Sequence, residues 1–254
     1  MSGTRGAGGA TALRRRWGAA EIAALRADLL AQSRVVRGPH LLTAPWGTTP
    51  DGWTDLRGLA DPDGLSVRCL TLTRVDLSHA SGRLRFHETE VTDGRFTRVV
   101  ATAGSRLDRR FERCDFRSAR LPGTVLGRRF VDCDFSGAKL RKATLGENAV
   151  FERCDFTGAD LTDATLVGGR FVDCVFADLT LSALSHLHRC AFQGGRPDPG
   201  PARLTRCAHD GTPLPDAWAG QPAADQLEAA YLRRYVAAAR AGAADTLPLA
   251  PESP

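Results

Sequence analysis

The chain has 254 residues, a formal net charge of +5, 26 glycines, 14 prolines and only 7% aromatic side chains. No apolar run reaches the roughly 18 residues a membrane-spanning helix needs, and a charge balance this small gives no reason by itself to expect nucleic-acid binding. Few aromatics and many glycines suit narrow stacked layers better than one bulky globular core.

In chain order, residues 1–16 read as disordered, because Gly, Ala, Ser and Thr dominate them. The arginines at 14 to 16 have no apolar h-region behind them, which argues against a secretory signal. Residues 17–64 read as an N-terminal helix-and-loop cap. From Trp17 to Leu30 the residues Ile22, Leu25 and Leu29 recur at helical spacing. Residues 37–64 hold Pro39, Pro45, Pro50 and Pro62 and read as loop, although Asp55-Leu56-Arg57-Gly58-Leu59 has the look of the repeat described below and is a candidate for its early opening. Residues 65–195 carry the repeat described below. Residues 196–222 read as a Pro/Gly-rich linker. Residues 223–241 are the strongest helical pattern, with Leu227, Tyr231 and Tyr235 in one stripe. Residues 242–254 read as a disordered tail.

The repeat is clearest from Phe111 to Phe192. Phe111-Glu-Arg-Cys114-Asp-Phe116, Phe130-Val-Asp-Cys133-Asp-Phe135, Phe151-Glu-Arg-Cys154-Asp-Phe156, Phe171-Val-Asp-Cys174-Val-Phe176 and Leu187-His-Arg-Cys190-Ala-Phe192 are variants of one phrase, and the first Phe recurs after 19, 21 and 20 residues. A fixed period near twenty is a solenoid signature. Inside it runs a period of five, through Phe111, Phe116, Leu121, Leu126, Phe130, Phe135, Leu140, Leu145, Phe151, Phe156, Leu161, Leu166, Phe171 and Phe176. Helix and strand have periods of 3.6 and 2, so neither explains five. A chain that turns a corner every five residues does. Four corners close one coil, and successive coils lie at the strand spacing of roughly 4.8 Å. Each anchor and the small residue two before it then point inward. Residues 65–107 are a degenerate version, and near 97–107 the pattern fails: Arg106 stands where an apolar residue belongs, so a loop or bulge is expected there.

Ala159-Asp160-Leu161-Thr162-Asp163, Ala138-Lys139-Leu140-Arg141-Lys142 and Phe156-Thr157-Gly158-Ala159 resemble the pentapeptide-repeat family, whose consensus is Ala-Asp/Asn-Leu-x-x. The resemblance covers about half the chain. It implies a right-handed quadrilateral β-helix and a non-enzymatic protein. The best-studied members protect DNA gyrase from quinolones and peptide toxins by imitating duplex DNA, and dimerise through a C-terminal segment.

Several residues are candidates for chemistry. Cys114, Cys133, Cys154 and Cys174 share one repeat position. A metal or disulfide ladder there is weighed against small apolar side chains beside the Phe anchors, and the absence of a C-x₂-C pair favours packing. Seven cysteines, an odd number, four of them at that position, read as reduced thiols of a cytoplasmic protein. His186, His188, Cys190, Cys207 and His209 are zinc-ligand types, but their spacing fits no zinc motif. Arg113, Asp132, Arg153 and Asp173 alternate in sign at one position and read as a register device. Asp115, Asp134 and Asp155 form an acidic row, the one feature suited to imitating phosphates and the candidate partner face. Arg110, Arg120, Arg129, Lys139, Arg141 and Lys142 lie near it and break any continuous acidic track. No nucleophile elbow, phosphate loop or Ser/His/Asp grouping is found, so no enzyme activity, cofactor or metal is expected.

The sequence therefore predicts an all-β solenoid of about six coils over 65–192, with an N-terminal and a C-terminal helix. The expected role is a non-catalytic scaffold for a protein partner. The alternative is DNA-mimic protection of gyrase or topoisomerase. The helix stripe Leu227, Tyr231 and Tyr235 is the candidate homodimer contact, and direct nucleic-acid binding is disfavoured for want of interleaved aromatics.

Overall fold

A computed structural model describes residues 5–34, 40–146 and 148–216. Its main body is a parallel β-solenoid of about eight turns, so the expected six coils are too few. The chain has four sides, each marked by a straight row of outward residues paired in parallel. Side one runs Asp55, Asp76, Arg95, Asp115, Asp134, Asp155, Val175. Side two runs Ala60, Ser81, Val100, Arg120, Lys139, Asp160, Thr180. Side three runs Ser66, Arg85, Arg106, Val125, Thr144, Thr165, His186, Arg203. Side four runs Thr71, Glu90, Arg110, Arg129, Val150, Arg170, Ala191, Ala208. Sides three and four gain a level because the chain crosses directly from Gly194 to Arg203. The coils therefore extend on both flanks of 65–195, into segments whose prolines and glycines suggested loop and linker.

Two columns of phenylalanine fill the tube. Phe96, Phe116, Phe135, Phe156 and Phe176 stack at centroid spacings of 4.7, 4.7, 5.1 and 5.6 Å. Phe111, Phe130, Phe151, Phe171 and Phe192 stack at 5.3, 4.9, 5.1 and 5.3 Å. Rings of the two columns meet edge to face, as Phe130 and Phe135 do at 5.6 Å and 65°. Both geometries are favourable for aromatic quadrupoles. Leu121, Leu140, Leu161 and Leu126, Leu145, Leu166 are buried in the remaining two columns. Backbone ladders hold the spacing, for example from Phe116 N to the Asp134 carbonyl at 2.7 Å.

Corners demand left-handed backbone. Arg113, Asp132, Arg153 and Asp173 sit at φ of 48°, 52°, 49° and 51°. Such conformations cost roughly 1–2 kcal/mol for a non-glycine residue. Two inward side chains in each five residues offset this, since burying one large apolar side chain contributes about 1.5–3 kcal/mol.

Three local expectations need correction. Residues 97–107 form no loop: Arg106 points outward within the strand Arg106–Glu112, and Leu107 fills the inward column. Ser105 takes the small inward position, its hydroxyl donating to the Thr102 carbonyl at 2.6 Å and accepting from Leu84 N at 3.0 Å. The register shift lies instead between Phe86 and Thr89, opposite Leu107 to Arg109. Second, Leu187–Phe192 is no fifth copy of the Phe–Cys–Phe phrase in space. Leu187 pairs with Leu166 and Phe192 with Phe171, one side out of step with the four preceding copies. Third, residues 5–15, expected to be disordered, are helical as Arg5–Arg15.

This first helix (α1, Arg5–Arg15) and a second (α2, Ala19–Gln32) cover the open N-terminal end. Glu21 accepts a hydrogen bond from Gly18 N at 3.0 Å, closing the start of α2, and Leu25 and Leu29 join the core. Gly58, at φ +71°, lies so close to Leu13 that a Cβ would sit 2.6 Å from the Leu13 carbonyl carbon. The Trp17 indole donates to the Arg57 carbonyl at 2.8 Å. Arg16 Nη1 reaches Asp55 Oδ2 at 2.9 Å, and Arg26 pairs with Asp61. The proposed C-terminal helix at 223–241 lies outside the described residues.

Asp55 is buried, which by itself would raise its pKa. Hydrogen bonds from Arg57 and Arg16 outweigh burial and hold it below the usual carboxylate range. Its folded pKa therefore lies below the unfolded value of 3.8. The pair stabilises the docked cap fully above that pH and loses its contribution as the pH falls below it. Tryptophan fluorescence is expected to report Trp17 leaving its buried site as the pH drops below 3.8. Asp55→Asn is expected to weaken cap docking already at neutral pH, and a variant with the wild-type acid profile would contradict this.

Candidate protein-interaction surface

The exterior is built from the three residues of each five that face outward. On side one the Asp row serves the turns first. Asp115 Oδ1 accepts from Arg117 N at 2.9 Å, Asp134 from Ser136 N at 2.8 Å and Asp155 from Thr157 N at 2.8 Å. A carboxylate that caps the backbone two residues on is the Asx turn. The row is also answered by cations. Arg117 bridges Asp115 at 2.6 Å and Asp134 at 3.5 Å. Arg57 pairs with Asp55, and Arg95 both pairs with Asp76 and interrupts the row. Burial would raise the Asp115 pKa, but the Arg117 guanidinium and backbone hold it low. Side one is thus a closed set of turn caps, not an open acidic track.

Where sides four and one meet, charges alternate up the stack. Arg113 Nε lies 2.7 Å from Asp93 Oδ1, and Arg153 Nε lies 2.6 Å from Asp132 Oδ1. On side four Arg110 pairs with Glu112 and Arg129 with Glu152. These exposed pairs contribute about 0–1 kcal/mol each, so they fix register more than they stabilise.

All four column cysteines are buried, and every cysteine is a free thiol. Each sulfur lies within weak hydrogen-bond distance of a carbonyl one coil below: Cys114 of Val91, Cys133 of Phe111, Cys154 of Phe130 and Cys174 of Phe151, at 3.5–3.6 Å. Burial pushes the Cys133 thiol up. The Cys133 sulfur raises Cys154, the Cys154 sulfur raises Cys174, and burial adds to both. Cys190 and Cys207 form a separate inward pair, with Cys190 N donating to Cys207 Sγ at 3.4 Å.

Strand alternation parts the zinc-type residues. His186 and His188 face outward and share the Thr205 hydroxyl, at 3.0 and 2.7 Å. Cys190 and Cys207 face inward, and His209 meets the Gly194 carbonyl at 3.0 Å. Among the described residues no three His, Cys, Asp or Glu side chains converge on a metal position, and no helix is long and apolar enough to cross a membrane.

The feature that a linear reading missed is on side two. Arg120, Lys139, Arg141 and Lys142 are mixed in sequence with Arg110 and Arg129, yet the coil sorts them onto different sides. At the N-terminal foot of side two is an open depression of about 560 Å³ between Asp61, Asp63, Ser81, Arg83 and Thr102. The clue available beforehand was position within each five. Arg120, Lys139 and Asp160 all directly precede a leucine anchor.

Residues 110–178 match the family model for pentapeptide repeats, in eight copies. Over that stretch the chain carries pentapeptide repeats. Comparison with curated proteins gives no match. Among solved structures, the pentapeptide-repeat protein Rfr23 from the cyanobacterium Cyanothece 51142 aligns at 19% identity over 46% of this chain, with a TM-score of 0.25. The match spans 60% of Rfr23 itself. Trypsin-treated QnrB1, a plasmid-mediated fluoroquinolone resistance protein, aligns at 16% identity over 62% of this chain and 82% of its own, with a TM-score of 0.31. HetL from Nostoc sp. Strain PCC 7120, involved in heterocyst differentiation regulation, aligns at 17% identity over 65% of this chain and 86% of its own, with a TM-score of 0.27.

The thiol geometry has a direct test. In the folded protein Ellman's reagent is expected to modify one cysteine, the exposed Cys69, and on unfolding all seven. Several fast-reacting thiols in the native state, or a mass showing a disulfide, would contradict the buried column.

Proposed function

We propose that this protein is a non-catalytic interaction scaffold of the cytoplasm, which holds one rigid side of its solenoid against a protein partner. The observation that carries the reading is the fixed exterior. Backbone ladders hold outward side chains in straight rows across seven or eight levels, so recognition groups are ordered before a partner arrives. Pre-ordering lowers the entropic cost of association.

The alternative implied by the family resemblance is protection of gyrase by imitating DNA. That role needs a long, open acidic face. The turn-capping carboxylates of Asp115, Asp134 and Asp155, the first two also met by Arg117, weigh against it.

Tagged full-length protein is expected to capture a reproducible partner from its own cells, in amounts that scale with the bait. The same protein is expected to leave quinolone inhibition of gyrase supercoiling unchanged. Relief of that inhibition would favour the alternative. Repeated failure to capture any partner, combined with turnover of a substrate, would overturn the scaffold reading.

A further inference from the structure

We propose that side two is a docking strip for an acidic polypeptide segment, running from the depression near Arg83 up past Arg120 and Lys139. The inference rests on the scaffold reading and names the chemistry of the partner.

The first support is where uncompensated charge lies. On sides one and four, and at the corner between them, Arg95, Arg110, Arg113, Arg117, Arg129 and Arg153 are each held by a carboxylate. On side two, Arg120, Arg141 and Lys142 are exposed and form no ion pair among the described residues, and Lys139 meets Asp160 only at 4.0 Å. Arg83, at the mouth of the depression, is likewise exposed and without an ion pair among the described residues. Four cations that the fold does not pair closely therefore stand together on side two, in two successive coils.

The second support is geometric order. Val100, Arg120, Lys139 and Asp160 are registered neighbours in one parallel row, with coils roughly 4.8 Å apart. Arg141 and Lys142 lie beside Lys139 in the same coil. Below them the exposed Val100 and Pro122 offer an apolar foothold, and the depression beneath can receive a side chain or chain end. The strip thus reads, upward, as a hollow, an apolar step, a cationic field and then carboxylates. A segment with an apolar residue, a run of Asp or Glu and a basic residue beyond it complements that order.

The same order disfavours nucleic acid. A phosphate track would run from the cations into Asp160 and Asp163, where like charges repel. No aromatic residue stands in the outward row to stack bases.

The test uses the full chain and three fluorescein-labelled probes: a short Asp/Glu peptide, a neutral Gly/Ser peptide and a short DNA duplex. Anisotropy titrations compare wild type with the variant Arg120→Glu, Lys139→Glu, Arg141→Glu, Lys142→Glu. A control reverses four exposed arginines elsewhere, Arg34→Glu, Arg68→Glu, Arg189→Glu and Arg206→Glu. A milder pair, Arg120→Gln with Lys142→Gln, guards against loss of fold, and thermal melts check all three. The acidic peptide is expected to bind best, to lose about tenfold or more in affinity in the side-two variant and severalfold in the milder pair, and to change little in the control. Equal loss in both reversed variants, no binding of the acidic peptide, or tighter binding of the duplex with the same sensitivity would each overturn the proposal. Partner capture separates the two readings. If the side-two variant still captures the wild-type partner, this surface falls while the scaffold stands; if wild type repeatedly captures nothing and turns over a substrate, the scaffold falls and the peptide titration still decides the surface.

Discussion

The structure depends on an inward step taken every five residues. One aromatic or leucine anchor and one small residue enter the tube, and three residues stay outside. Everything else follows from that step. Coils can lie at ladder distance only because the anchors stack face over face. The stacking is continuous because Phe follows Phe at the same corner from Phe96 to Phe176. The second inward position must be small, and Ala119, Cys133, Ala138 and Cys154 meet that demand alike. Cysteine here acts as a compact side chain with a weak donor, and its chemistry is suppressed by burial.

Much of this was legible in the residues. The anchors of 111–176 declare their columns because a period of five has no rival among regular elements. What could not be read depends on contacts distant in sequence. Residues 5–15 look disordered by composition, and their helix is ordered by Leu13 seating on the backbone at Gly58. Leu187–Phe192 mimics the repeat phrase in spelling, but it begins three anchors after Phe171 instead of four and so stands one side early. Arg106 looked like a failed anchor because the neighbouring inward residues, Ala101 and Ser105, are small and polar or nearly featureless. Prolines and glycines at both flanks hid coils, since these residues are also what tight corners use.

The candidate surface was legible only in part. The Asp115, Asp134 and Asp155 row was visible, but its service to the turns was not, because an Asx turn is seen only when the backbone N–H two residues on is placed. The cations of side two were visible as residues and invisible as a group. Sequence proximity mixes them with arginines that the coil sends to another side and pairs with glutamates. A solenoid thus separates two tasks that share one sequence. Inward positions set stability, coil by coil with nearest-neighbour coupling, and outward positions are left to recognition.

The central claim is that stability recurs with a period of five along the chain. Alanine substitution at each non-alanine position from Arg129 to Val150, followed by urea denaturation, measures it most directly. Losses of about 2–5 kcal/mol are expected at Phe130, Phe135, Leu140 and Leu145, and within about 0.5 kcal/mol at the exposed outward positions between them. Losses that follow a period of 3.6 or 2, or that show no period, would contradict a four-sided tube built on stacked columns.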